Sequence, residues 1–305
     1  MIEFVPAENP KSRPISIQQV ALHRPRLGVR SKRLPPAPVF AITSGKGGVG
    51  KTNVVANLAA ALTQRNKRVM VIDADLGLAN LDLFFGVKPT HTLADFFSGA
   101  VALEEIIVSN PNGILLLPGA RGVQEITVLR HEQKAALLTE LDALSHAIDL
   151  VLVDTGSGIS DAVTYFTTAA QEIVVVVTPE PSSVTDAYTL VKVLASTHRQ
   201  KRFWILANNV SGKEEARRLF DILSRTALRF LNASLDLLGW IPRDPQLVRS
   251  FERAQIVVVN APDSPSARSF VALAERLVQM TTAGVNVKGN LQFFFRRMLE
   301  AKRGV

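Results

Sequence analysis

Between residues 39 and 284 the chain alternates short, continuous apolar runs with longer stretches in which apolar side chains recur every three to four positions. The continuous runs fall at 39–43, 68–73, 113–117, 149–154, 172–178, 203–208 and 236–241. Most lack polar alternation, as strands buried on both faces should. The periodic stretches predict helices over 52–65, 131–147, 160–169, 183–198, 213–230 and 266–281. That rhythm predicts βα units with right-handed crossovers, hence a single α/β domain whose predominantly parallel sheet is flanked by helices. No internal repeat or linker interrupts 39–284. Ligands of such a sheet bind beyond the carboxyl ends of its strands.

Charge changes the picture only at the two ends. The chain has 305 residues, a net charge of +8 and 47% apolar residues. Residues 1–38 contribute +5 and residues 285–305 contribute +4, which leaves −1 for 39–284. The core is therefore neutral, and a broad nucleic-acid footprint on it is not expected. Residues 1–38 are proline-rich and basic, with one short apolar stretch from Ile15 to Leu22, and read as a disordered arm. There is no cysteine, which excludes disulfides and Cys-ligated zinc or iron–sulfur clusters. No run approaches the 18 apolar residues of a membrane span, and no signal-peptide core is present; the expectation is a cytoplasmic protein.

The first strand leads into Gly45-Lys46-Gly47-Gly48-Val49-Gly50-Lys51-Thr52-Asn53, and a helix leaves it. G-x-x-x-x-G-K-T between a strand and a helix is a P-loop. Its glycines let backbone N–H groups converge on phosphate oxygens at the helix N-terminus. Lys51 is expected to reach the β- and γ-phosphates, and the Thr52 hydroxyl to ligate Mg²⁺. Lys46 is a second positive charge that a plain P-loop does not need.

Three further strand ends carry candidate chemistry. The second delivers Asp73 and Asp75, two residues apart and so on one side, one for Mg²⁺ and the other to orient the attacking water. The fourth delivers Asp154 into Thr155-Gly156-Ser157-Gly158, a Walker B arrangement with Asp154 on the metal's water shell and the glycines as a γ-phosphate sensor. The sixth ends at Asn208, whose amide suits adenine. Asn208-Asn209-Val210-Ser211 is not the Asn-Lys-x-Asp of Ras-like proteins, so ATP/ADP with Mg²⁺ is the expected ligand rather than GTP.

Residues 39–284 resemble the MinD/ParA ATPases. The shared motifs are the deviant P-loop from Lys46 to Thr52 and the Asp73-to-Asp82 pattern D-x-D-x-G-L-x-N-L-D. The resemblance implies a homodimer when ATP is bound, with Lys46 reaching the phosphates of the other subunit. It implies that Asp75 positions the nucleophilic water and that Asp73 lies on the metal side. It also implies that Asn208, together with the Pro242 to Asp244 segment, flanks the base. Residues 118–125 and 179–188 look like the flagellar-number regulators of that family (FlhG, also called FleN or YlxH) more than septum-placing MinD. Partners implied are an FlhF-like GTPase and flagellar switch or regulatory proteins. The Asp-Gln-Ala-x-x-Leu-Arg motif that often activates that GTPase is missing from residues 1–38, where Ile15–Leu22 is only a loose analogue.

As a helix, residues 291–303 would place Leu291, Phe294, Phe295, Met298 and Leu299 on one side, with Arg296 and Arg297 opposite. Apolar bulk opposite arginines suits an anionic lipid interface, so residues 285–305 read as a linker and membrane-targeting helix. The function this predicts is an ATP-dependent dimerisation switch, peripheral on the inner face of the cytoplasmic membrane, that regulates flagellar number, placement and assembly. DNA partitioning by a ParA-type ATPase and septum placement are the alternatives.

Overall fold

A computed structural model describes residues 37–75, 80–91, 95–96, 98–118, 139–140, 144, 147–282 and 296. The arm up to residue 36, residues 119–130, most of the predicted helix 131–147 and the tail beyond 282 except Arg296 lie outside the described residues. So do residues 76–79 of the D-x-D-x-G-L-x-N-L-D pattern.

The strands are β1 (Val39–Ser44), β2 (Val69–Ala74), β3 (Val108–Ser109), β4 (Leu115–Leu117), β5 (Leu150–Ser157), β6 (Glu172–Val177), β7 (Arg202–Val210) and β8 (Ser234–Pro242). Among the described residues they form one sheet in the order β3-β4-β2-β5-β1-β6-β7-β8. All neighbours pair in parallel except β3 with β4. Alternation within each strand divides the core into two layers. Phe40, Ile42, Val69 and Val71 pack to one side, and Val39, Ala41, Met70 and Ile72 to the other.

Helices α1 (Lys51–Thr63), α2 (Leu81–Phe85), α3 (Leu103–Ile106), α4 (Asp161–Ala169), α5 (Pro181–Ser196), α6 (Lys213–Phe230), α7 (Pro245–Glu252), α8 (Val257–Asn260) and α9 (Pro265–Thr282) complete the described fold. Residues of α1 and α9 cover the first layer, and those of α5 and α6 cover the β6–β8 part of the second. The chain leaves β1 toward β2 and later returns to β6 on β1's other side. That reversal opens a crevice at the carboxyl end of β1, where residues 45–50 lie.

Several expectations need correction. β3 is a two-residue antiparallel edge, too short to show in periodicity. α5 begins at Pro181 rather than 183. Proline at the first helical position, with φ preset and no N–H to waste, fixes that start. β5 runs through Ser157, past the expected glycine turn, and the chain turns at Gly158 with φ 89°. α7 had a legible signal: the Asp244 carboxylate accepts from Gln246 N–H at 2.9 Å, and Pro245 follows it.

Candidate functional site

The P-loop is held from outside as well as by its own glycines. A Cβ on Gly45 would lie 2.1 Å from the carbonyl oxygen of Asp186 in α5, so only glycine lets the loop pack there. Gly50 has φ 92° and directs the chain into α1. On the far side, the Asn208 side-chain amide donates to the Val49 carbonyl at 2.7 Å. The Asn208 side-chain oxygen meanwhile accepts from Asn209 N–H at 2.9 Å. Asn208 thus ties the end of β7 to the loop, a structural duty that its adenine-reading assignment did not include.

Register places the carboxylates. Asp73 on β2 pairs directly with Asp154 on β5, and Asp154 pairs with Ile42 just before the P-loop. Asp154 is 1% exposed and Asp73 is also buried. Burial pushes the Asp154 carboxyl up to about 7; a bond from the Thr52 hydroxyl opposes this, and the neighbouring Asp73 adds to it. Burial likewise pushes Asp73 up to about 7, against bonds from the N–H groups of Asp75 and Leu81. One oxygen of Asp154 has no hydrogen-bond partner. Lys51 is buried too, its ammonium pushed down by desolvation and drawn up by Asp154 and Asp75.

An orphaned carboxylate oxygen, a second carboxyl in register and a threonine hydroxyl form a hard-oxygen donor set that fits Mg²⁺. No group of three or more His, Cys, Asp or Glu residues suited to a metal occurs among the described residues. Mg²⁺ is usually held by one or two carboxylates while water and phosphate fill the rest, and Asp73 and Asp154 supply that number.

Asp75 is half-buried beside the switch segment, where a Cβ on Gly156 would lie 3.7 Å from its carboxylate oxygen. The carboxylate therefore stands over β5's end, near both Lys51 and the Walker B strand. Lys46 points elsewhere. Its Nζ lies 2.6 Å from the Glu180 carboxylate and 2.9 Å from the Ser182 hydroxyl, at the start of α5. Sequence reasoning had singled out Lys46 and the 179–188 segment separately, and the fold joins them.

The predicted base-flanking pair divides. Pro242 ends β8 opposite Val210. Asp244 is 4% exposed and accepts from Ser266 N–H at 3.0 Å and its hydroxyl at 2.6 Å. Burial alone would raise its pKa, but the bonds from Ser266 and Gln246 hold it below the usual carboxylate range. Its carboxylate joins α7 to α9. Asn53, the last residue of the predicted loop, accepts from the buried Asn57 at 2.6 Å, and Asn57 in turn accepts from Val258 N–H. Asn57, Glu180 and Ser182 were not predicted. Asn57 interrupts the apolar run from Val54 to Leu62 in α1, which was its one signal.

A family model described as ParA, NUBPL iron-transfer P-loop NTPase, matches residues 37–278. With no cysteine, this chain lacks the thiolates that usually hold an iron–sulfur cluster. Antiactivator FleN of Pseudomonas aeruginosa is 40% identical over 265 residues, spanning 87% of this chain and 94% of that protein. Flagellum site-determining protein YlxH of Helicobacter pylori is 35% identical, spanning 86% and 89%. Among solved structures, MinD cell division protein of Aquifex aeolicus superimposes with a TM-score of 0.61 at 29% identity, over 79% of this chain and 97% of that one. Septum site-determining MinD of Pyrococcus horikoshii, complexed with Mg-ADP, gives 0.63 at 27%, over 81% and 98%.

Proposed function

Because the chain belongs to the ParA/MinD family of P-loop NTPases, we propose that it is an ATP-driven dimerisation switch regulating flagellar number and placement. The observation that carries the switch is Lys46: a lysine beside the phosphate loop whose ammonium is turned away from its own loop. The flagellar assignment is supported by the two relatives whose names describe an antiactivator and a flagellum site-determining protein.

In this reading the P-loop N–H groups and Lys51 bind the β- and γ-phosphates of ATP. Asp75 accepts from the attacking water and aims it at the γ-phosphorus. Lys46 leaves Glu180 and enters the site of a second copy, adding positive charge where the transition state accumulates negative charge. Thr52, Asp73 and Asp154 would hold Mg²⁺, which supplies charge neutralisation on the phosphate oxygens. Pre-positioned charge and a bound water account for hydrolysis without a covalent intermediate.

Among the described residues no helix is long and apolar enough to cross a membrane. Membrane association in the ATP state is proposed for residues 290–305 on their sequence pattern. Two copies on a dimer raise the effective concentration of a weak anchor, so nucleotide can set membrane residence. Co-sedimentation with vesicles containing phosphatidylglycerol tests this, comparing ATP, ADP and a chain lacking 290–305. ATP-dependent pelleting that disappears with the tail is expected. Pelleting indifferent to both would remove the membrane step, and ATP-dependent binding to nonspecific DNA would favour a partitioning role.

A further inference from the structure

The end of the sheet opposite the P-loop carries a surface that the nucleotide chemistry does not use. β7 begins there at Arg202, α6 ends there at Phe230, and β8 starts beside them at Ser234. Ser234 N–H donates to the Lys201 carbonyl at 2.9 Å, and Lys201 Nζ donates to the Asn232 carbonyl at 3.3 Å, so the two loops form one platform. An open groove of about 350 Å³ runs along it, lined by Lys201, Leu228, Leu231, Asn232, Ala233 and Ser234.

Large apolar side chains of α6, one of them the groove-lining Leu228, stand in water. Ile222, Leu228 and Phe230 are 58%, 69% and 64% exposed. Ile222, Arg225 and Arg229 follow one another at spacings of three and four along α6, and therefore share a stripe. The Arg229 guanidinium lies over the Phe230 ring, 5.3 Å from its centroid, an arrangement that stabilises the ring's outward position. No Asp or Glu occurs from 222 to 234 or from 197 to 202. Among the described residues no carboxylate pairs with Arg225 or Arg229.

We propose that this surface docks a short acidic, amphipathic segment of a partner protein. One apolar side chain of that segment fills the groove against Leu228 and Leu231, while its carboxylates meet Arg225, Arg229 and Lys201 and its outer apolar surface can reach Phe230. Exposed apolar groups supply the desolvation energy and the unpaired cations choose the partner's sign. The chain's own tail is a poor occupant, because residues 285–305 hold five cations against one acid and would be repelled. A nucleic acid would be drawn by a broad cationic face and gains little from Leu228 and Phe230. A bilayer is disfavoured by orientation. Dimerisation through the carboxyl ends of the strands puts the two grooves at opposite ends of the particle, where one flat membrane cannot meet both. That last argument rests on the proposed dimer; the groove, its exposure and its charge do not.

The test uses the full chain without nucleotide, so its outcome is independent of dimerisation and hydrolysis. Random 12-residue peptides displayed on phage are selected on the wild-type protein. They are counter-selected on a Leu228→Ser, Phe230→Ser variant and on an Arg225→Ala, Arg229→Ala variant. The expected pool is net negative with two or more large apolar residues. A synthetic member should lose at least tenfold in affinity with either variant by fluorescence anisotropy, and again when its Glu and Asp become Gln and Asn. Both variants change exposed side chains and should keep the wild-type melting temperature and ATP turnover. A pool without acidic bias, or affinity indifferent to both variants, overturns the proposal. So does tighter binding of phosphatidylglycerol vesicles or duplex DNA through the same four residues.

Discussion

Lys46 donates to the Glu180 carboxylate at 2.6 Å, so the lysine that distinguishes this P-loop is engaged within its own chain. Both partners are substantially solvated, and an exposed pair of this kind contributes only about 0–1 kcal/mol. Swinging Lys46 toward a second subunit is therefore cheap. Lys46→Ala should leave the melting temperature within about 3 °C of wild type, in keeping with so small a contribution. It should still bind a fluorescent ATP analogue but form no ATP-dependent dimer by light scattering. A variant that dimerises normally with ATP would refute the trans role of Lys46.

Asp75 stands over Gly156, in the segment expected to sense the γ-phosphate. If it orients water, its loss affects the chemical step and not nucleotide binding. Asp75→Ala should slow single-turnover hydrolysis by about 10²- to 10⁴-fold, the range for removal of a positioned acid–base group. Nucleotide affinity should stay within a few fold and ATP-bound dimer should accumulate. Normal turnover would require a different residue to align the water.

Much of this was legible because two levels of sequence pattern agreed. Unbroken apolar runs such as Leu150–Val153, bounded by turns, read as buried strands, and glycines beside Lys51 and Thr52 between a strand and a helix read as a phosphate loop. The Asp73–Asp154 register is a tertiary fact. β2 and β5 are separated by some eighty residues, and only the sheet order shows that the two carboxylates share one row. The partners of Lys46 were hidden for the same reason, since Glu180 is 134 positions away. Asp244, placed near the base by resemblance, has a further partner that no local pattern shows: its carboxylate accepts from Ser266, 22 positions away, as well as from Gln246.

The raised carboxyls make nucleotide binding a proton-releasing event. Asp73 and Asp154 are pushed up to about 7 in the folded protein, against about 3.8 for an aspartate carboxyl in water. Between those values the folded chain holds more protons than the unfolded one. The stability they contribute is thus full below pH 3.8 and lost as pH rises through 7. A Mg²⁺–nucleotide complex needs both groups ionised, so its binding near pH 6 should release about one to two protons. Release should decline above pH 8, where both are already ionised. Titration calorimetry in two buffers of different ionisation enthalpy measures this. Equal proton release at pH 6 and pH 8.5 would contradict it.

Asn208 offers a separable test of how β7 supports the loop. Its amide donates to Val49, whose side chain is itself buried, so Asn208→Ala leaves the Val49 carbonyl without that partner. An unsatisfied buried carbonyl costs about 1–3 kcal/mol, which predicts a lower melting temperature in the nucleotide-free protein. The same change frees the loop that must converge on phosphate, so affinity for inorganic triphosphate should weaken along with affinity for ATP. A residue that only reads the base would weaken ATP binding and leave triphosphate untouched. Measuring both affinities on one variant therefore distinguishes a loop-positioning role from a purely base-reading one, and unchanged triphosphate affinity would reject the former.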